Sequence, residues 1–233
     1  MFESRLTHGE VMKLKAALLS VSVAIGLHIY LALHYYQLNF GLLTGESLCN
    51  VNDLFNCDTV TASSFSAVFG IPIALWGAAT NAVLAILIMG WILGWTSDPA
   101  RQGRYTLWLS GLVAATSVVM GSISTFFIGS FCLFCMGTYL TSFIAFALIY
   151  KSQEADSRTS RQYFTEAFSS GKSILYFLIA IPAVTVFFHY SYTSKVGASE
   201  MGKAARLSVA DWKAAPTVDL SSAQPSFTLG PDN

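Results

Sequence analysis

The chain has 233 residues, of which 54 % are hydrophobic and only 11 % charged, and its 13 basic and 13 acidic side chains cancel. Soluble domains carry about 25 % charged residues, so this composition, with a mean hydropathy of +0.55, excludes an ordinary soluble fold. No basic patch interleaved with aromatics points to nucleic acid, and the information lies in where the charges are placed.

Five apolar stretches, at 16–36, 71–95, 105–128, 131–150 and 173–192, contain no Lys, Arg, Asp or Glu. Each is about 20 residues long, enough to cross a hydrocarbon core of roughly 30 Å as a helix. The first is too long for the apolar region of a signal peptide, about 7–15 residues, and no A-x-A-like cleavage site follows it. The third and fourth are nearly continuous and together too long for one helix. Gly129-Ser130 is the natural break, glycine relaxing the backbone and Ser130 capping the next helix. The expected fold is an all-α integral membrane protein, a four-helix transmembrane bundle plus a fifth transmembrane helix.

Basic residues orient the spans. Arg5, Lys13 and Lys15 precede the first; Arg101 and Arg104 lie between the second and third; Lys151, Arg158, Arg161 and Lys172 lie between the fourth and fifth. The connections 37–70 and 129–130 have neither Lys nor Arg. By the positive-inside rule the N-terminus is cytoplasmic and those two connections face out. Five crossings also place the C-terminus outside, against the local charge of Lys195, Lys203, Arg206 and Lys213. Trp91, Trp95, Tyr105 and Trp108 flank the inner loop as interfacial anchors.

The only four cysteines are Cys49, Cys57, Cys132 and Cys135. The first two fall in the outward loop and the others at the start of the fourth helix, so all four share the outer, disulfide-permissive side. Residues three apart share a helix face. Cys132 is thus expected near the water interface and Cys135 one turn deeper, with the loop pair on a mobile segment above. A helix N-terminus stabilises the thiolate, the nucleophile of disulfide exchange. Two other readings apply. Cys49–Cys57 closes a short loop and suits a structural disulfide, whereas a bond across one helical turn joins no distant segments. Four thiolates also suit structural zinc, but a helical hairpin separates the pairs and the compartment favours disulfides, so no metal is expected.

Together these residues resemble the vitamin K epoxide reductase family, in its bacterial-type form, over roughly residues 12–150. The resemblance rests on Cys49 and Cys57, the run Cys57-Asp58-Thr59-Val60-Thr61-Ala62-Ser63, Phe69-Gly70-Ile71-Pro72, and Cys132-Leu133-Phe134-Cys135 followed by Tyr139. It implies a four-helix catalytic domain over 1–150 holding a quinone, of ubiquinone or menaquinone type, beside the C-x-x-C. Cys135 then matches the cysteine at the quinone and Cys132 its partner that exchanges with the loop pair. Ser63 matches the family's Ser or Thr after the second loop cysteine, and Tyr139 lines the quinone pocket. Ser66 stands where vertebrate members use Asn to bond the quinone.

Bacterial members often continue through a fifth helix to an outward thioredoxin-like domain. Here 151–192 reads as a cytoplasmic loop and fifth helix, and 193–233 as an outward linker rich in Pro, Ser and Ala. Phe227-Thr228-Leu229-Gly230-Pro231 resembles the lead-in to a DsbA-like domain that this chain lacks. The implied activity is that of a thiol–quinone oxidoreductase in a bacterial inner membrane. It would reoxidise a thioredoxin-like, DsbA-like partner, fused or separate, in support of oxidative protein folding. In that relay the partner attacks Cys49, Cys57 attacks Cys132, and Cys135 reduces the quinone. A membrane scaffold with structural disulfides is the alternative, and a transporter ranks last because the spans carry no charge.

Other intramembrane polar groups are His28 and His34, of which His34 lies nearer the cysteines and is expected to make a local hydrogen bond. Asn81 and Thr116 read as interhelical bonders, and Gly111, Gly121 and Gly137 as points of close packing. Phe126, Phe127, Phe131 and Phe134 either wall a quinone or fill the core.

Overall fold

The computed structural model describes residues 6–40, 47, 49–52, 54–153, 158–169 and 172–197. In chain order these form α1 (His8–Asn39), α2 (Cys57–Ala62), a minimal hairpin of β1 (Ala67–Val68) and β2 (Ile71–Pro72), α3 (Ile73–Leu93), α4 (Pro99–Ile123), α5 (Leu133–Tyr150), α6 (Ser160–Ser169) and α7 (Lys172–Tyr192). A π turn, Ser124–Ile128, prolongs α4, and another, Thr193–Gly197, prolongs α7. Among the described residues α1, α3, α5 and α4 with its π turn are long and apolar enough to cross a membrane. The fifth expected span is helical as α7. The tail read as a linker lies outside the described residues from 198 onward.

Local chemistry sets the helix ends. Thr7 caps α1 in a reciprocal box: its hydroxyl accepts from the Glu10 N–H and the Glu10 carboxylate accepts from the Thr7 N–H, which satisfies two orphan donors. Asp98 caps α4, accepting from the Arg101 N–H at 3.0 Å, with Pro99 at the first helical position where its missing N–H costs nothing. Gly94 ends α3 in the left-handed region at φ 66°.

The helices α1, α3, α4 and α5 form a closed ring in which α1 lies along α3 and α5, and α4 along both of those as well; α7 packs outside α3. Leu19, Ile86 and Leu140 point outward and are well exposed, as expected of helices solvated by lipid. Since lipid is as apolar as leucine, close packing rather than hydrophobic expulsion holds such a bundle. One half of the bundle is packed by Leu14, Ala17, Val21, Leu84, Ile88, Trp91, Ala145 and Ile149. A second buried cluster, at the opposite end, is built on Leu31, Cys49, Cys57 and Cys132.

Glycines set the helix spacing, though not only those expected. A Cβ on Gly137 would come within 3.1 Å of Leu27, whereas Gly111 and Gly121 have room for one against Phe146 and Tyr139. The closest approach is at Gly77, where the His28 ring lies over the α3 backbone and would overlap any side-chain carbon. Asn81 and Thr116 do not bridge helices. Asn81 donates to the Gly77 carbonyl and Thr116 to that of Leu112, each in its own helix, the local bonding that short polar side chains favour.

The hairpin between α4 and α5 turns at Gly129 (φ 71°) as expected, but Ser130 is not the cap. Cys132 holds that position, its sulfur accepting from the Cys135 N–H at 3.1 Å. Ser130 instead donates to the Leu54 and Asn56 carbonyls of the cysteine loop.

Candidate functional site

The loop that carries Cys49 and Cys57 is stitched to the start of α5 by main chain. The Phe131 N–H donates to the Leu54 carbonyl at 2.7 Å, and the Asn56 N–H donates to the Phe131 carbonyl at 3.0 Å, a parallel bridge between Phe55 and Phe131. With the Ser130 hydroxyl added, one short segment is fixed immediately before Cys132. This brings together cysteines 75 to 83 positions apart in sequence.

Cys49 and Cys57 are joined as a disulfide, their Cα atoms 5.7 Å apart, and Cys132 and Cys135 are free thiols. The sulfurs of Cys49, Cys57 and Cys132 all lie within 4.8 Å of one another. Two of the three are bonded to each other as the disulfide. Cys49 and Cys57 are 0 % exposed and Cys132 1 %, because the docked loop closes over them.

Around the loop runs a polar network that the sequence did not suggest. Asn50 donates through Nδ2 to Asp58 Oδ2 at 2.7 Å, and Asn50 Oδ1 accepts from the Cys57 N–H at 3.0 Å. Asp58 Oδ1 lies 2.8 Å from His34 Nε2. A carboxylate only accepts, so Nε2 carries the proton. His34 is 3 % exposed, and its hydrogen bond is to the loop.

On the other side of Cys135 lies a cavity of about 300 Å³ between α1, α3, α4 and α5, at the lower end of the range for small-molecule sites. Cys135, Tyr139 and Ser66, the residues named for quinone contact, all line it, and so does Ser63, named as catalytic. The two serines are already engaged, Ser63 donating to the Val60 carbonyl and Ser66 to that of Ser63. Their hydroxyl protons are therefore spent within the loop. Leu112, Val113, Met120 and Ile128 make the walls apolar.

His28, Trp76 and Asn81 line the cavity too. His28 donates through Nδ1 to the Ala24 carbonyl at 2.8 Å, which in a neutral ring leaves Nε2 an acceptor. A histidine and an asparagine inside apolar stretches were the available signals, of which Asn81 was read as an interhelical bonder. The hairpin phenylalanines do not wall this space. Phe126 and Phe127 are 80 % and 73 % exposed, Phe131 packs on Phe55, and Phe134 on Tyr30.

The site is therefore a chain of sulfur centres with one end under a docked loop and the other at an apolar cavity. Residues 17–150, more than half of the chain, match the family model described as Vitamin K epoxide reductase family. No curated protein matches the chain.

Proposed function

Because this chain belongs to the vitamin K epoxide reductase family, whose members are membrane thiol–quinone oxidoreductases, we propose that it moves two electrons from an outward thioredoxin-like, DsbA-like protein to a quinone. The observation that carries the reading is the position of the C-x-x-C between two environments. Cys132 sulfur is within 4.8 Å of both sulfurs of the loop disulfide, and Cys135, one turn on, borders the cavity.

The cavity fits a quinone head group. Its walls are apolar, and Tyr139 and His28 offer a donor and an acceptor to groups inside it. Bound there, a quinone accepts two electrons and two protons as Cys132 and Cys135 close into a disulfide. The chain's own residues do the rest. Cys135 presents sulfur to the cavity, Tyr139 orients the ring, and the hydrophobic lining excludes water. The loop disulfide shuttles oxidising equivalents back to the partner by exchange through mixed disulfides.

In this reading the cysteine end faces outward from a bacterial inner membrane and the basic connections face the cytoplasm. Purified protein supplied with a reduced DsbA-type donor and a short-chain ubiquinone or menaquinone should form one quinol per donor dithiol oxidised. Cys135→Ser should abolish quinol formation while leaving thiol exchange at Cys49–Cys57. An unchanged quinol rate without Cys135 would sink the proposal.

A further inference from the structure

Asn50 is the residue after Cys49, and Asp58 is the residue after Cys57. Their side chains are bonded to each other at 2.7 Å, and Asn50 reaches back to the Cys57 N–H at 3.0 Å and the Asp58 N–H at 3.4 Å. The two positions next to the disulfide are thus tied a second time, without a covalent bond. His34 of α1 holds the free side of the same carboxylate at 2.8 Å. The whole link stands on an element that does not take part in exchange.

We propose that Asn50 and Asp58, anchored by His34, are a non-covalent duplicate of the Cys49–Cys57 disulfide that keeps Cys57 within reach of Cys132 while the disulfide is open. The inference rests on the relay reading above. The relay requires an open interval. A partner thiolate attacks Cys49 and forms a mixed disulfide, and Cys57 leaves as a thiolate. Cys57 attacks Cys132 of a Cys132–Cys135 disulfide and releases Cys135 as a thiolate. The partner's second thiol resolves the mixed disulfide and frees Cys49, which attacks Cys57 and releases Cys132. Two electrons have then passed from the partner dithiol to Cys132 and Cys135. Between the first and last of these steps no bond other than the intervening main chain joins residue 49 to residue 57.

A link that persists through the interval keeps the thiols at a high effective concentration, because the ordering of the loop is already in place when the bond re-forms. The same link makes the closed disulfide harder to reduce. When the link is lost, the opened loop gains freedom that the closed loop does not. Asn50, Asp58 and His34 are positioning residues, since none of them exchanges a bond.

The test uses the full-length protein in detergent with Cys132 and Cys135 changed to Ser, its loop pair equilibrated in glutathione buffers and read by thiol alkylation. Asn50→Ala and Asp58→Ala should each lower the equilibrium constant for disulfide formation roughly threefold to tenfold, the worth of a hydrogen bond. Asn50→Asp sets two carboxylates face to face and should lower it further. The swap, Asn50→Asp with Asp58→Asn, reverses donor and acceptor across the link. The carboxylate now at position 50 still accepts from the Cys57 N–H, and the amide oxygen now at position 58 still accepts from His34. The swap should return the constant to within about twofold of the parent, a rescue that loss of general packing would not give. Where the alanine variants fold poorly, the swap against Asn50→Asp alone decides. An unchanged constant in the alanine variants, or a swap no better than Asn50→Asp, overturns the proposal. Failure of the relay reads differently: Cys57 and Cys132 would not combine when Cys49 and Cys135 are serine, whatever the glutathione constant does.

Discussion

With Cys49 and Cys135 both changed to Ser no resolving thiol remains, so Cys57 and Cys132 should close into a stable bond. Their sulfurs already lie within 4.8 Å, and mass spectrometry of a non-reduced digest would report the product. If Cys49–Cys132 forms instead in the Cys57→Ser, Cys135→Ser variant, and the first pairing never appears, the exchange order is reversed. Tyr139→Phe keeps the ring, which packs beside Gly121, and removes only the hydroxyl. Quinone binding should weaken by about 0.5–1.5 kcal/mol if Tyr139 donates to it, measured as a Kd for a short-chain quinone; no change would mean that the ring only packs. The cysteines were legible from residue type and spacing, and Tyr139 through the family resemblance. Ser130, Asn81 and Thr116 were not. A hydroxyl or amide bonds whichever carbonyl the fold brings near, and for Asn81 and Thr116 that is four residues back in the same helix. The Asn50–Asp58 pair escaped for a related reason: only the fold shows that two residues eight apart face each other.

At the scale of elements the charge-free apolar stretches all became helices, since a span has no other way to satisfy its backbone in lipid. Their ends moved in both directions: α1 begins eight residues before its apolar stretch, where the Thr7–Glu10 box caps it, whereas α3 is two residues shorter than its stretch at each end. What the pattern could not give was the docking of the cysteine loop, set by main-chain bonds between 54–56 and 131 that leave no mark on composition. The spacing of α1 against α3 was also hidden, because Gly77 is one of 17 glycines and only His28 across the gap singles it out. Gly77→Val should force the His28 ring aside and destabilise the bundle by about 1–3 kcal/mol, the usual cost of overpacking. Adding His28→Ala should recover most of that loss. Thermal unfolding in detergent distinguishes the cases: a Gly77→Val protein as stable as the parent, or no recovery in the double variant, contradicts the contact.

Considered as a whole, the molecule has its redox chemistry at one end and an ionic lock at the other. Arg158 donates to both oxygens of Asp98 at 2.7 and 2.8 Å and lies 4.6 Å from the centre of the Tyr163 ring, with Arg104 at 5.4 Å from the same ring. Tyr163 is fully buried, and Phe164 meets Trp108 of α4. In this way α6 is fastened to the N-terminal end of α4. The Arg158 guanidinium, donating to the carboxylate, holds the Asp98 carboxyl below the usual range; partial burial opposes this, and the Arg101 N–H adds to it. A folded-state value below the unfolded one means that the contribution is present above the unfolded value and is lost as pH falls through the folded value. Acidification into and below the ordinary carboxylate range should therefore release α6 while leaving the transmembrane ring intact. Asp98→Asn keeps a good helix cap but removes the charge, so α6 should be loosened at neutral pH and show no further acid dependence. Hydrogen exchange at the α6 amides, corrected for its intrinsic pH dependence, reads both states. In vesicles with the cysteine end outward, acid inside the vesicle should open α6 and acid outside should not. Opening by outside acid alone would place Asp98 on the same side as Cys49, which a membrane-crossing α3 between them forbids.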